Sequence, residues 1–290
     1  MLRKVAVLSV ACLALGSVNA SASTYATCAG QLDFTTTGSA CGTAGQDILI
    51  FTSDQQSTGT GTIDSFVRMN DKGNEQGYNT DGRPLQYDEN NSGQFTRSLL
   101  LSAVPIFGFS GTNYYEFGLD INQSNSSSTQ LLDLNQIQFF LTSDPSLLGS
   151  TDTVSPSGQH ALSFGTNAFQ TYLFNDPALP DNRVTMNFNL NPGSGAGDLF
   201  VYVRTSLFDP YTSANGSYVV LFSQFGDPPG SQGSNDGFEE WWIRREGSPC
   251  TVNCGSGGGT GESPVPEPGS LILFGTGLAI VARRVRRKKH

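Results

Sequence analysis

The sequence predicts an all-β fold, a two-sheet β-sandwich of jelly-roll type. Three observations carry that prediction. Short apolar or β-favouring runs recur between residues 47 and 244, each bounded by clusters of Gly, Asn, Asp, Ser and Pro that supply tight turns. Several runs alternate with a period of two, which sends successive side chains to opposite faces of a sheet. No segment of the body sustains a helical period beyond about two turns.

The first twenty residues stand apart. Arg3 and Lys4 precede an apolar stretch at 5–15, and small residues follow at Ala20 and Ala22. Charged, apolar and small-residue parts in that order read as a secretory signal helix over residues 1–20, cleaved after Ala20 or Ala22 by signal peptidase.

Residues 21–250 are the expected sandwich domain, with strands at 47–52, 60–69, 97–104, 113–121, 131–142, 168–174, 183–190, 198–206, 217–225 and 237–244. Within these, Phe200, Tyr202 and Arg204 alternate with Val201 and Val203, and Val184, Met186, Phe188 and Leu190 form a cleaner period of two. With 37% apolar residues, 19 Phe and 9 Tyr, the chain has the material to fill a core between two sheets. Only 14% of residues are charged, and the abundance of aromatics separates this composition from a disordered one. Residues 70–81 and 193–197 read as loops. A phosphate-cradling loop at 193–197 would need a following helix and a Lys, and a strand follows instead.

Charge is unevenly placed. Two of the 16 Lys and Arg lie in the signal and six follow Ala282, which leaves 8 basic against 24 acidic residues over 21–264, a net of −16. Such a body excludes nucleic acid and anionic lipid as partners, since both require a positive patch. Beyond the signal there are four cysteines, Cys28, Cys41, Cys250 and Cys254. An even number in an exported chain reads as disulfides, with proximity favouring Cys28 with Cys41 and Cys250 with Cys254 among three formal pairings; a zinc site is the alternative.

From 251 to 263 the composition shifts to Gly, Ser and Thr, a flexible tether. The tail, 264–290, opens on Val265, Pro266, Glu267 and Pro268, continues through an apolar run at 269–282, and ends in Arg283, Arg284, Arg286, Arg287, Lys288 and Lys289. The prolines hold Glu267 in an extended, accessible backbone. The run of fourteen residues would form a short hydrophobic helix of about 21 Å, below the roughly 30 Å of a bilayer's hydrocarbon. It reads as a transient transmembrane helix whose basic end stays on the cytoplasmic side.

Box, apolar run and basic end in this order resemble the PEP-CTERM sorting signal, over about the last 26 residues. The resemblance implies recognition by an exosortase, cleavage at the Pro-Glu-Pro box, and release or transfer to the cell envelope of a bacterium that makes exopolysaccharide. The body also looks like a group of PEP-CTERM proteins without assigned activity. The stretches that carry this likeness are 75–83, 118–123, 193–198 and 235–241.

Catalytic chemistry is hard to build from these residues. Away from the tail the only histidine is His160, among Ser, Gly and Pro, with no partner visible in sequence, so a Ser-His-Asp site would have to recruit it. Glu239 and Glu240 precede Trp241 and Trp242 and suggest a glycosidase pair. On a strand, however, Phe238, Glu240 and Trp242 share one face and Glu239, Trp241 and Ile243 the other, so the two glutamates cannot flank one bond. One tryptophan is expected in the core; the other is a candidate glycan-stacking ring. Ca²⁺ is the most reasonable cofactor, because the 70–81 loop offers Asp71, Asn74, Glu75, Asn79 and Asp81 with glycines for sharp turns, although without EF-hand spacing. Asp198 and Asp236 are further oxygen donors near Gly-rich turns. The expectation is therefore a non-enzymatic exported envelope or extracellular protein with a structural or binding role in an exopolysaccharide matrix. The alternatives are a lectin-like carbohydrate-binding module and a carbohydrate-active enzyme.

Overall fold

The computed structural model describes residues 25–52, 63–154, 160–164, 170–173, 183–193, 195, 197–215, 217–226, 230–235 and 237–245. The signal, Cys250, Cys254, Asp236, the tether and the tail lie outside them. The strands are β1 (Gln31–Phe34), β2 (Ala40–Gly42), β3 (Ile48–Thr52), β4 (Ile63–Met69), β5 (Glu75–Tyr78), β6 (Leu99–Leu100), β7 (Ile106–Phe109), β8 (Thr112–Asp120), β9 (Leu131–Thr142), β10 (Thr151–Val154), β11 (His160–Ser163), β12 (Gln170–Leu173), β13 (Arg183–Asn187), β14 (Leu199–Arg204), β15 (Tyr218–Phe225) and β16 (Glu239–Arg244). One short α-helix, α1 (Asp209–Asn215), follows β14.

Among the described residues two seven-stranded sheets form. Sheet I runs β2-β3-β14-β8-β16-β4, with β7 on the first half of β8. Sheet II runs β1-β13-β9-β15-β5, with β12 on β9 and β6 on β15. The β1–β13 pair is parallel and the other strand pairs are antiparallel. The β10–β11 pair stands apart as a two-stranded ribbon.

The sheets face each other across one core. Ile48 and Ile50, Phe117 and Leu119, Val201 and Val203, and Trp241 and Ile243 come from sheet I, and Leu132, Phe139, Val184, Met186, Val219 and Leu221 come from sheet II. Each of these side chains is buried, and side chains of this size each contribute roughly 1.5–3 kcal/mol on leaving water. The period of two therefore describes the alternation correctly: Val201 and Val203 point inward while Phe200 and Tyr202 point outward.

Two bulges shift that alternation. On β9 the inward positions change from Leu132 and Leu134 to Ile137, Phe139 and Leu141, because Gln224 pairs with Gln136 while Phe225 pairs with Leu134 and Asn135 is left between. On β4, Trp241 pairs with Val67 and Trp242 with Ser65, so Phe66 and Val67 both reach the core.

Neither outer face is bare. Leu49, Phe51, Tyr114, Phe200, Tyr202 and Trp242 form a second buried cluster outside sheet I, and Tyr78, Phe140, Leu162, Phe164, Val220 and Phe222 form a third outside sheet II, where the β10–β11 ribbon covers the sheet. The abundant aromatics fill three layers, and edge-to-face pairs such as Phe200 with Trp242 recur in them.

Three expectations are corrected. The run at 97–104 yields two strand residues and then the 3₁₀ turn Leu101–Ala103, in which Leu101 and Val104 turn to the core together. The run at 183–190 ends at Asn187, whose side chain accepts from Asn189 N and starts the 3₁₀ turn Phe188–Leu190. The expected loop at 70–81 contains β5, which has no β-branched residue and is held by pairing with β15.

The disulfide joins Cys28 to Cys41, with Cα atoms 5.0 Å apart. It fastens the segment ahead of β1 to β2 on the edge of sheet I.

Candidate functional site

Of the residues expected to hold calcium, Asn79, Asp81 and Asp71 each have side-chain hydrogen bonds to different neighbours. Asn79 is buried against β15, donating to Val219 O at 2.9 Å and accepting from Leu221 N at 2.7 Å. Asp81 accepts from Ser98 N and Ser98 Oγ, both at 2.8 Å. Asp71 accepts from Lys72 N, while its own N–H donates to Glu75 Oε2 at 3.0 Å. Asn74 lies in the turn before β5. The five do not converge on one point, because β5 carries Glu75 inward and leads Asn79 and Asp81 away along the sheet. Among the described residues no group of three or more His, Cys, Asp or Glu is arranged to hold a metal ion.

The tryptophans both lie in the interior, which corrects the expectation of an exposed stacking ring. Trp241 is fully buried in the central core and donates from Nε1 to Ser223 Oγ at 2.9 Å. Trp242 is fully buried outside sheet I, packed against Gly118, Gly197 and Phe200. No sugar can stack on either ring without displacing protein.

Glu239 and Glu240 do fall on opposite faces. Glu239 points between the sheets, where its carboxyl interacts with that of Glu75 from β5 in the facing sheet. Gln123 Nε2 and Ser234 Oγ donate to Glu239 at 2.6 and 3.2 Å. Burial, then the Glu75 carboxyl, push the Glu239 carboxyl well above the ordinary range, and burial raises Glu75 as well. A second buried pair sits where the 193–197 turn meets the end of β8. Asp198 accepts from Ile121 N at 2.8 Å and Asp120 from Gly195 N at 2.6 Å, and burial followed by the Asp120 charge holds Asp198 well above the usual range. A further buried acid, Glu116, accepts from Arg244 Nε at 3.1 Å and Tyr202 Oη at 3.0 Å.

Glu240 opens a different setting. It points out of sheet I and pairs with Arg68 of β4, whose Nε and Nη2 both reach Glu240 Oε1, at 3.1 and 2.7 Å. The guanidinium lies 3.5 Å from the centre of the Phe95 ring and 4.9 Å from that of Phe238. Beside this assembly is an open cleft of about 370 Å³, lined by Asp64, Arg68, Gln94, Phe95, Gly195 and Glu240. Its carboxylates are both in ion pairs, Glu240 with Arg68 and Asp64 with Arg97 at 2.9 Å. Sequence reasoning weighed Glu240 only as a partner of Glu239 and missed Arg68, Gln94 and Phe95. The one available signal was Arg68 set between the apolar Val67 and Met69 of β4.

His160 lies on β11, in the ribbon outside sheet II. The sorting residues Val265, Pro266, Glu267 and Pro268, the basic residues from Arg283 to Lys289, and the second cysteine pair lie outside the described residues. Among the described residues no helix is long and apolar enough to cross a membrane.

Fold and charge together define a class, an all-β domain of two large packed sheets followed by a separate address segment. Residues 264–288 match the family model of the PEP-CTERM protein-sorting motif, which supports export and sorting by an exosortase. No curated protein and no solved structure matches the chain.

Proposed function

We propose that the protein is a non-enzymatic jelly-roll module of an exopolysaccharide matrix, delivered by its tail and acting there through structure or binding. The observation that carries this reading is the sorting motif at 264–288, which sends the chain out of the cell. The jelly-roll wiring is supported by strand order. Taken as eight successive strands, β4, β5, β8, β9, β13, β14, β15 and β16 fall in the orders first-eighth-third-sixth in sheet I and second-seventh-fourth-fifth in sheet II. A non-enzymatic role is supported by the deployment of the acids: Glu116, Asp198 and Glu239 are locked in interior pairs. The apolar run of the tail, about 21 Å as a helix, suits a passing rather than a lasting anchor.

The test is fractionation of producing cells with and without exosortase. The reading expects a tail-less protein in the envelope or matrix fraction of the first and full-length protein in the inner membrane of the second. Equal distribution in both would overturn it. The purified protein is also expected to leave the producer's own polysaccharide intact; release of new reducing ends that stops in Glu240→Gln would favour the enzyme instead.

A further inference from the structure

We propose that the cleft beside Arg68 and Glu240 is a binding site for a neutral sugar residue, recognised through a pair of adjacent hydroxyls. The inference rests on the matrix role proposed above and names the ligand class of its site. Its basis is hydrogen-bond capacity left unspent in a fixed geometry. Arg68 uses Nε and Nη2 on a single oxygen, Glu240 Oε1, which leaves Arg68 Nη1 as a donor and Glu240 Oε2 as an acceptor with no partner among the described residues. Both residues line the cleft, and the side chain of Glu240 is only 6% exposed. An unused carboxylate oxygen in a nearly buried side chain, at the wall of an open cleft, is ready to accept a hydrogen bond from a ligand.

The chemistry of the wall selects the ligand. A guanidinium N–H next to a carboxylate oxygen matches a vicinal diol, in which one hydroxyl accepts from the guanidinium while its neighbour donates to the carboxylate. The pair is held in place by Phe95 and Phe238 on the guanidinium, so little side-chain freedom is lost when the sugar arrives. Gln94 at the rim and the carboxylate of Asp64 offer further donors and acceptors. Neutrality follows from charge. The cleft's acids are paired with Arg68 and Arg97, Arg245 adds one cation to the lining, and the body around them carries a net charge of −16, which repels a polyanion. At about 370 Å³ the space suits one or two sugar units of a longer chain.

The experiment is affinity electrophoresis of the processed protein recovered from the producing cell, in native gels cast with dextran, galactomannan or glucomannan, and in parallel gels with alginate or polygalacturonate. At least one neutral polymer is expected to retard the protein and neither acidic one. Gln94→Trp, which places an indole in the mouth of the cleft from an exposed loop position, is expected to weaken the retardation at least tenfold, and Leu100→Ser on the opposite sheet to leave it unchanged. Glu240→Gln, which turns the free acceptor into a donor, is expected to weaken it likewise, with Gln94→Trp deciding the matter if that variant fails to fold. Retardation by acidic polymers alone, by no polymer, or equally in wild type and Gln94→Trp overturns the proposal. A protein found in the matrix fraction yet unretarded by every neutral polymer overturns the site and leaves the matrix role standing. A protein absent from envelope and matrix overturns the role itself.

Discussion

Gly118 lies opposite Trp242 on sheet I, and substituting it by alanine tests the outer layer directly. A Cβ at Gly118 would stand 2.3 Å from Cε2 and 2.4 Å from Cζ2 of the Trp242 indole, well inside the 3.4 Å at which ordinary contact begins. Relief requires the ring to move by roughly an ångström. The ring has nowhere to go, because it is fully buried and a Cβ at Gly197, on another segment, would stand only 2.6 Å from the same Cζ2. Overpacking of a filled site costs about 1–3 kcal/mol, and a clash with a trapped indole belongs at the upper end. For a domain of this size, about 3 kcal/mol corresponds to a fall in Tm of roughly 6–12 °C. Thermal unfolding followed by circular dichroism measures it. Gly93→Ala, where a Cβ meets nothing within 4 Å, is the control and is expected to melt with the wild type. Combining Gly118→Ala with Trp242→Leu is expected to cost clearly less than the two singly summed, since the smaller side chain removes the clash. A Gly118→Ala protein that melts within about 2 °C of wild type refutes the packing described here.

Further outcomes follow from other parts of the molecule. Replacing Cys28 and Cys41 by serine frees a loop of 13 residues' separation and is expected to lower stability by about 3 kcal/mol, read as a lower urea midpoint that reductant no longer changes. Because burial and Glu75 raise the Glu239 carboxyl, the folded protein keeps that proton where the unfolded chain has released it. Stability from this group is therefore complete below the usual value near 4.5 and declines as pH climbs toward the raised folded value, with a limiting slope of about 1.4 kcal/mol per pH unit for one proton. Glu239→Gln, which removes the titrating group, is expected to flatten that part of the pH profile, and a profile unchanged from wild type counts against a raised Glu239 carboxyl. Intact-mass analysis of the exported protein is expected to end near Pro266; a chain still ending at Lys289 or His290 would exclude cleavage at the Pro-Glu-Pro box.

The sequence was most legible where one physical signal dominated. The run at 131–142 matches β9 residue for residue, because an apolar stretch with turn residues on both sides leaves no other solution. The opposite facing of Glu239 and Glu240 followed from the strand's period alone. Strand β5 was not legible, since Glu75, Gln76 and Gly77 carry no β preference and owe their conformation to β15, 140 or more residues away in the chain. Of the tryptophans, Trp241 is in the core as expected, and Trp242 misled for a related reason. Exposure on the outer face of a sheet is the usual expectation, and here other segments cover that face, which no local pattern announces. The cleft depends on the same long-range assembly: Arg68 and Glu240 are separated by 172 positions and become neighbours only through the β4–β16 ladder.

The last strand of the body, β16, is not at an edge. It lies between β8 and the edge strand β4 in sheet I. A pull on the C-terminal end of the described domain would therefore load a strand paired with β4 along its length and with β8 over Glu240–Trp242. Tension applied lengthwise to such a strand loads two ladders in shear, where an edge strand would present one. The placement of β16 gives the C-terminal end of the described domain two ladders that share any load along the chain.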